Sequence, residues 1–373
     1  MLVGAPILLV VGTRPEAIKL GPVAQALIAR GVEPALVLTG QHPGLNPDEY
    51  GLGGLPATRL CCPGQIDPHA HVAAVAKAMA PQLATSPELI VVQGDTSSAL
   101  GAALAGFKAG VAVAHVEAGL RSFDPAMPWP EEEYRIAIDA RAALLFAPTE
   151  TSAINLCREQ VPGIIHVTGN SGIDALLATL ASLPPLPSRD RGQPPLLLVT
   201  CHRRENWGIG LTSVARALIA LARGGGIRID CMLHPNPRVT ETMHLLLGGE
   251  RAIRLVEPCG HRAMIAAMRA ADLILSDSGG VQEEAPALGV PLLVLRDKTE
   301  RPEGIASGNF RLVGTDSARI IGAVTGLLAD PAARAAMARP AWPFGDGRSG
   351  PRIAGHLLDW LAARRTGGNR RRA

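Results

Sequence analysis

The sequence predicts an α/β protein made of two Rossmann-like, doubly wound domains with an interdomain cleft, and three observations carry that expectation. Short runs rich in Val, Ile and Leu alternate with alanine-rich stretches of helical period, the pattern of parallel sheets covered by helices on both faces. The pattern pauses at "LASLPPLPSRDRGQPP", whose prolines and charges cannot join a core and read as a linker, and then restarts. With 373 residues and 47% hydrophobic content, the chain can bury a large core, and its length favours two domains over one.

Taken in order, the strands of the first half are "PILLVVG", "PALVLTG", "ELIVVQGD", "AVAHVEAG", "ALLFAPT" and "IIHVTGN". Helical stretches such as "PVAQALIAR" and "SSALGAALAGFKAG" lie between them. The opening "MLVGAPILLVVG" is apolar but short, has no charged start and runs into a polar motif. It is expected to be a buried strand and not a signal peptide. After the linker come "LLLVTCHRREN", "IDCMLHPNP", "IRLVEP", "LILSDSGG" and "PLLVLRD". The expected domains are residues 1–169 and 170–353, with a C-terminal helix at about 354–368 packing back on the first.

Composition narrows the function classes. A net charge of +3 implies no broad basic face for nucleic acid, and the basic tail "ARRTGGNRRRA" reads as a solvated end. The six cysteines show no CxxC spacing or paired framework, which suits a reducing cytoplasm. No membrane partner is expected. Neither G-x-G-x-x-G after a strand nor G-x-x-x-x-G-K-[ST] occurs, and His234 and His261 lack ligand spacing, so no nicotinamide cofactor, Walker loop or metal is predicted.

In doubly wound folds, ligands bind beyond the carboxyl ends of the strands, so polar residues directly after apolar runs are the candidate site. At "SDSGGVQEE", a strand expected over Ala271–Leu275 ends in Ser278, Gly279 and Gly280. Two readings stand: an N-cap serine in a plain turn, or a phosphate seat made of open backbone N–H groups and a helix N-terminus. Glu283 and Glu284 are dipole partners or acceptors for ribose hydroxyls. In "GTRPEAIK", Arg14 offers a fork of donors suited to phosphate and Lys19 follows about one turn later; solvated surface charges are the alternative. Asp95 in "QGDTSS" reads as the N-cap of a helix from Thr96 or as a functional acid. Glu117 directly follows the apolar "VAVAHV", where a carboxylate needs a partner or a task. Glu131, Glu132 and Glu133 form a favourable first helical turn, or Glu131 joins the other two acids in acid and base work. His202, beside Arg203 and Arg204, is structural or placed near phosphate.

The blocks "GTRPEAIKLGPV", "QGDTSSALGAALAGFKAGVAVAHVEAGLRS", "PWPEE", "PTETS", "TGNSGIDAL", "HRREN", "SDSGGVQEEAPALGVPLLVLRD" and "TERPEG" resemble the non-hydrolysing UDP-N-acetylglucosamine 2-epimerases, in the same order from about residue 8 to about 355. The resemblance implies a glycosyltransferase-B type fold, a UDP-sugar substrate and interconversion of UDP-GlcNAc with UDP-ManNAc without a redox cofactor. It implies Asp95, Glu117 and Glu131 as catalytic carboxylates and His202 as a cleft histidine. It further implies Arg14 and Lys19 near the diphosphate, Ser278, Gly279 and Gly280 on it, and Glu284 on the ribose. A homodimer is expected. The match departs at Tyr134 and Ala140, where it implies asparagine and histidine, and at Cys201, where it implies glycine. After Gln41 and His42, the polar pattern that serves a second, activating UDP-GlcNAc in some bacterial members is missing.

Overall fold

A computed structural model describes residues 5–186, 192–201, 203, 206–234 and 236–370. The chain divides into two compact units, residues 1–175 with 344–373, and residues 176–343.

Unit 1 holds β1 (Ile7–Val11), β2 (Ala35–Leu38), β3 (Ala57–Arg59), β4 (Leu89–Gln93), β5 (Ala112–Val116), β6 (Leu144–Ala147) and β7 (Ile164–Val167). They form one parallel sheet in the order β3-β2-β1-β4-β5-β6-β7. Unit 2 holds β8 (Leu196–Thr200), β9 (Arg228–Met232), β10 (Ile253–Val256), β11 (Leu273–Ser276), β12 (Leu292–Val294) and β13 (Phe310–Leu312). Its parallel sheet runs β10-β9-β8-β11-β12-β13. Both orders reverse beside the first strand of the unit, which is the signature of double winding.

The apolar runs have no polar face because each sheet is covered twice. Along β1, Ile7, Leu9 and Val11 pack with Leu20, Val23 and Leu27 of the helix Arg14–Ile28. Leu8 and Val10 point the other way, onto Ala99, Ala102 and Ala103 of the helix Ser97–Ala109. The terminal helix Ser349–Arg370 adds Ile353, Ala354, Leu357 and Leu361 to the first of these cores. In unit 2, Leu197 and Val199 pack with Val214 and Leu218 of the helix Ile209–Gly224 and with Ile320 and Val324 of the helix Ser317–Ala329. Fully burying such a side chain is worth about 1.5–3 kcal/mol.

Local bonds show why the units divide near residues 175 and 344 instead of 169 and 353. Asn170 N–H donates to Phe344 O at 2.7 Å, and Ser171 Oγ donates to Lys19 O at 2.6 Å. The Asp174 carboxylate accepts from the N–H groups of Ser349 at 3.1 Å and Gly350 at 2.8 Å. These contacts hold the start of the helix Ser171–Ser182 and the start of the terminal helix on unit 1. Ser182, at the far end of the helix Ser171–Ser182, lies in unit 2, where Arg262 Nη2 donates to Ser182 O at 2.7 Å. The strand expected at Ala271–Leu275 runs from Leu273 to Ser276, because Ala271 still caps the preceding helix.

Candidate functional site

In unit 1, β1 and β4 are neighbours whose following helices leave to opposite faces, so the loops beyond them diverge at a topological switch point. Gly12 begins the first loop. A Cβ there would lie 2.1 Å from Ser98 Oγ and 2.5 Å from Thr39 Oγ1, so only glycine lets the two loops approach. Glu16 locks the pair together. Its Oε2 accepts from Gly12 N at 2.7 Å, Thr13 N at 2.6 Å and Thr13 Oγ1 at 2.9 Å, and its Oε1 from Thr96 Oγ1 at 2.5 Å. Burial pushes the Glu16 carboxyl up, against the pull of these bonds.

Lys19 is buried one turn on and forms an ion pair with Glu117 Oε2, the oxygen that also accepts from Gln93 Nε2. Glu117 sits at φ +71°, a left-handed conformation that costs a residue with a Cβ about 1–3 kcal/mol. The N–H groups of Glu117 and Ala118 both donate to Phe146 O, at 3.0 and 3.1 Å, and hold it there. A strained, buried carboxylate in a buried ion pair is poor value as a stability device. Backbone strain of this kind concentrates at functional positions, which makes Glu117 a candidate site residue.

Asp95 is partly exposed and pairs with Arg135 Nη2 at 2.6 Å. It does not cap the next helix: that helix starts at Ser97, and Thr96 Oγ1 takes the cap bond from Ala99 N at 3.0 Å. Arg135 comes from the helix Glu131–Asp139, whose first residue, Glu131, is partly buried. Glu132 turns inward and accepts from Ser122 N and Phe123 N at 3.0 Å, while Glu133 is exposed. The three neighbouring acids thus have three different environments. Arg14 is the exposed first residue of its helix. Tyr134 is buried, its ring edge-on to His69 with centroids 5.6 Å apart, and Ala140 lies exposed at the helix end.

In unit 2, β8 and β11 are the strands at the switch point. Ser278 stands at the N-cap of the helix Gly279–Leu288, yet its side chain makes no cap bond. The plain N-cap reading is thereby set aside, and the first-turn N–H groups have no intrahelical acceptor. A Cβ on Gly279 would lie 3.0 Å from Arg301 Cζ and Nη1, so this first turn packs flat against a guanidinium. Arg301 is held by Glu283, with Nε and Nη2 each 2.7 Å from Oε1, and by Glu300. Glu283 is therefore a structural partner of Arg301. Glu284, one residue on, is buried and pairs with His261 Nε2 at 3.0 Å.

The loop after β8 is tied to the turn before the helix Gly279–Leu288 by buried Asp277, which accepts from Arg203 N at 2.9 Å and Asn206 Nδ2 at 2.8 Å. His202, Arg204 and Glu205 lie outside the described residues. Cys201 is buried, and burial pushes its thiol well up. Sequence reading passed over Glu16, Gln93, Arg135, Asp277 and Arg301. A signal existed for Glu16, since Thr13-x-x-Glu16 is a capping-box spacing. For the others the partners are far apart in the chain.

Two all-parallel sheets of this winding, with polar loops gathered beyond their carboxyl ends, define the glycosyltransferase-B type of α/β architecture. A family model described as UDP-N-acetylglucosamine 2-epimerase matches residues 25–358. The UDP-N-acetylglucosamine 2-epimerase of Escherichia coli K12 is 40% identical over 93% of this chain and 96% of its own length. Crystal structures of UDP-GlcNAc 2-epimerases from Neisseria meningitidis bound to UDP-GlcNAc, and from Methanocaldococcus jannaschii with UDP-GlcNAc and UDP, superpose with TM-scores of 0.88 and 0.83 at 34% and 33% identity. They cover 95% and 94% of this chain and 99% of each of theirs. The chain belongs to the UDP-N-acetylglucosamine 2-epimerase family.

Proposed function

We propose that the protein interconverts UDP-GlcNAc and UDP-ManNAc without net hydrolysis, by elimination and re-addition of UDP. The observation that carries this reading is Glu117, a buried carboxylate held in a left-handed conformation against Lys19 and Gln93 at the end of β5. A nucleotide-binding role alone gives that residue no task. The C2 proton of the sugar has no neighbouring carbonyl to acidify it. Breaking the C1–O bond to UDP develops positive charge in the ring, and a carboxylate then takes the C2 proton to leave 2-acetamidoglucal with a C1–C2 double bond. Returning a proton to the opposite face of C2, while a UDP phosphate oxygen re-forms the bond at C1, gives the epimer. Electrons and atoms balance with no redox partner.

In this scheme Asp95, Glu117 and Glu131 share the acid and base work. Ser278, Gly279 and Gly280 stabilise the departing diphosphate through backbone donors, with Arg14 and His202 adding positive charge and Glu284 holding the ribose. Lys19 and Gln93 orient Glu117 through its Oε2. The relatives solved with UDP-GlcNAc and UDP support this choice of ligand. Purified protein given UDP-GlcNAc, with no added NAD or metal, is expected to yield a mixture containing UDP-ManNAc by NMR. In D2O the product is expected to carry deuterium at C2. Free ManNAc as the main product would overturn the non-hydrolysing assignment.

A further inference from the structure

The proposed reaction asks unit 1 to align acids from three separate segments, and one buried ionic cluster touches all three. His115, on β5, is completely buried. Its Nδ1 lies 2.6 Å from Asp139 Oδ1, and its Nε2 lies 2.8 Å from the carbonyl oxygen of Gly94, the residue before Asp95. Asp139 Oδ2 accepts from Gly119 N at 3.1 Å, two residues after Glu117, and pairs with Arg121 Nη2 at 2.8 Å. Asp139 itself ends the helix that Glu131 begins.

Hydrogen-bond arithmetic settles the donors. The Gly94 carbonyl can only accept. The Asp139 carboxylate receives the Gly119 N–H and the Arg121 guanidinium on Oδ2, the company of an ionised acceptor, so it too only accepts. Both ring nitrogens of His115 therefore donate. Arg121 links this cluster outward to the exposed Glu159, whose Oε2 lies 2.6 Å from Arg121 Nη2.

We propose that His115 is a positioning residue for the epimerisation: a doubly protonated imidazolium, locked between Asp139 and Gly94, that sets the relative placement of the segments carrying Asp95, Glu117 and Glu131. Shut away from solvent, it exchanges no proton with substrate. The proposal rests on the epimerase reading above, and two measurements separate their fates. In the full chain labelled with 15N-histidine, with His115 assigned by its disappearance in His115→Gln, two slowly exchanging ring N–H correlations are expected. A single N–H on His115 overturns the lock whatever the enzyme does.

For kinetics, His115→Asn keeps a donor close to the Nδ1 position and His115→Gln one close to Nε2, so each variant retains one arm and loses the other. Each is expected to lower kcat about 10–100-fold, while KM and calorimetric UDP affinity stay within about threefold. A kcat within about threefold of wild type in both variants, or a loss of UDP affinity equal to the loss of kcat, overturns the positioning role. Should neither variant fold, His115 is assigned in the wild type through its own backbone connectivities, and its ring N–H count decides. Wild type that makes no UDP-ManNAc removes the epimerase reading and leaves the imidazolium to be judged by NMR.

Discussion

Beyond the carboxyl ends of the two sheets, the chain solves opposite problems with opposite materials. In unit 1 the site is made of side-chain charge: Glu117 leans on Lys19 and Gln93, Asp95 on Arg135, and Glu16 gathers four donors to keep the loops in place. In unit 2 it is made of backbone. Ser278 leaves the first helical turn uncapped, and Gly279 omits the Cβ that would strike Arg301. An acid that must give and take a proton needs a tuned environment, so it is surrounded by partners. The proposed phosphate seat relies on first-turn N–H groups that have no intrahelical acceptor. Arg301, which packs against Gly279, is itself held by buried ion pairs with Glu283 and Glu300.

The contrast breaks most sharply if substitutions in the two regions affect the same quantity. Asp95→Asn, Glu117→Gln and Glu131→Gln preserve shape but remove the base, and each is expected to lower turnover by about 10²-fold or more with UDP binding changed far less. Gly279→Val should do the reverse first. It is expected to weaken UDP by about 10²-fold in calorimetry while the thermal melt still shows a folded protein, because several charge-assisted backbone bonds are lost at once. Unchanged UDP affinity would remove the seat.

Smaller effects sharpen the comparison. Glu16→Ala leaves the buried N–H groups of Gly12 and Thr13 without their acceptor, and is expected to cost about 1–3 kcal/mol in denaturant unfolding. Asp346, an exposed acid far in character from the site, pairs with Arg352 through two bonds of 2.7 Å, and Arg352 holds its carboxyl down at about 2. Its folded pKa is depressed, so its contribution is full above the unfolded value of 3.8 and fades as pH falls from there to about 2. The Tm gap between wild type and Asp346→Asn should be small and close over that window. Glu133→Gln, on the exposed side of its helix, should leave turnover near wild type.

Sequence alone determined the architecture to the extent that burial is two-sided. Eleven apolar runs were legible because parallel strands inside a covered sheet carry mostly apolar residues. The edge strands β3 and β13 were not legible. They are three residues long, and Ala57 and Arg59 face solvent, so no apolar pattern marks them. Arg14, Glu117 and the Ser278–Gly280 turn stood out because each closely follows an apolar run.

What only the tertiary structure decided is which charge meets which. Asp95 was released from the cap by Thr96 and paired instead with Arg135, 40 positions on; Glu283 went to Arg301 and Glu284 to His261. His115 joined Gly94 to Asp139. Such pairs leave no periodic trace. Burial imposes a pattern along the chain because every residue of a strand faces the same medium, whereas an ion pair is a single contact between loops brought together by the sheet, and its partner can lie anywhere in the sequence.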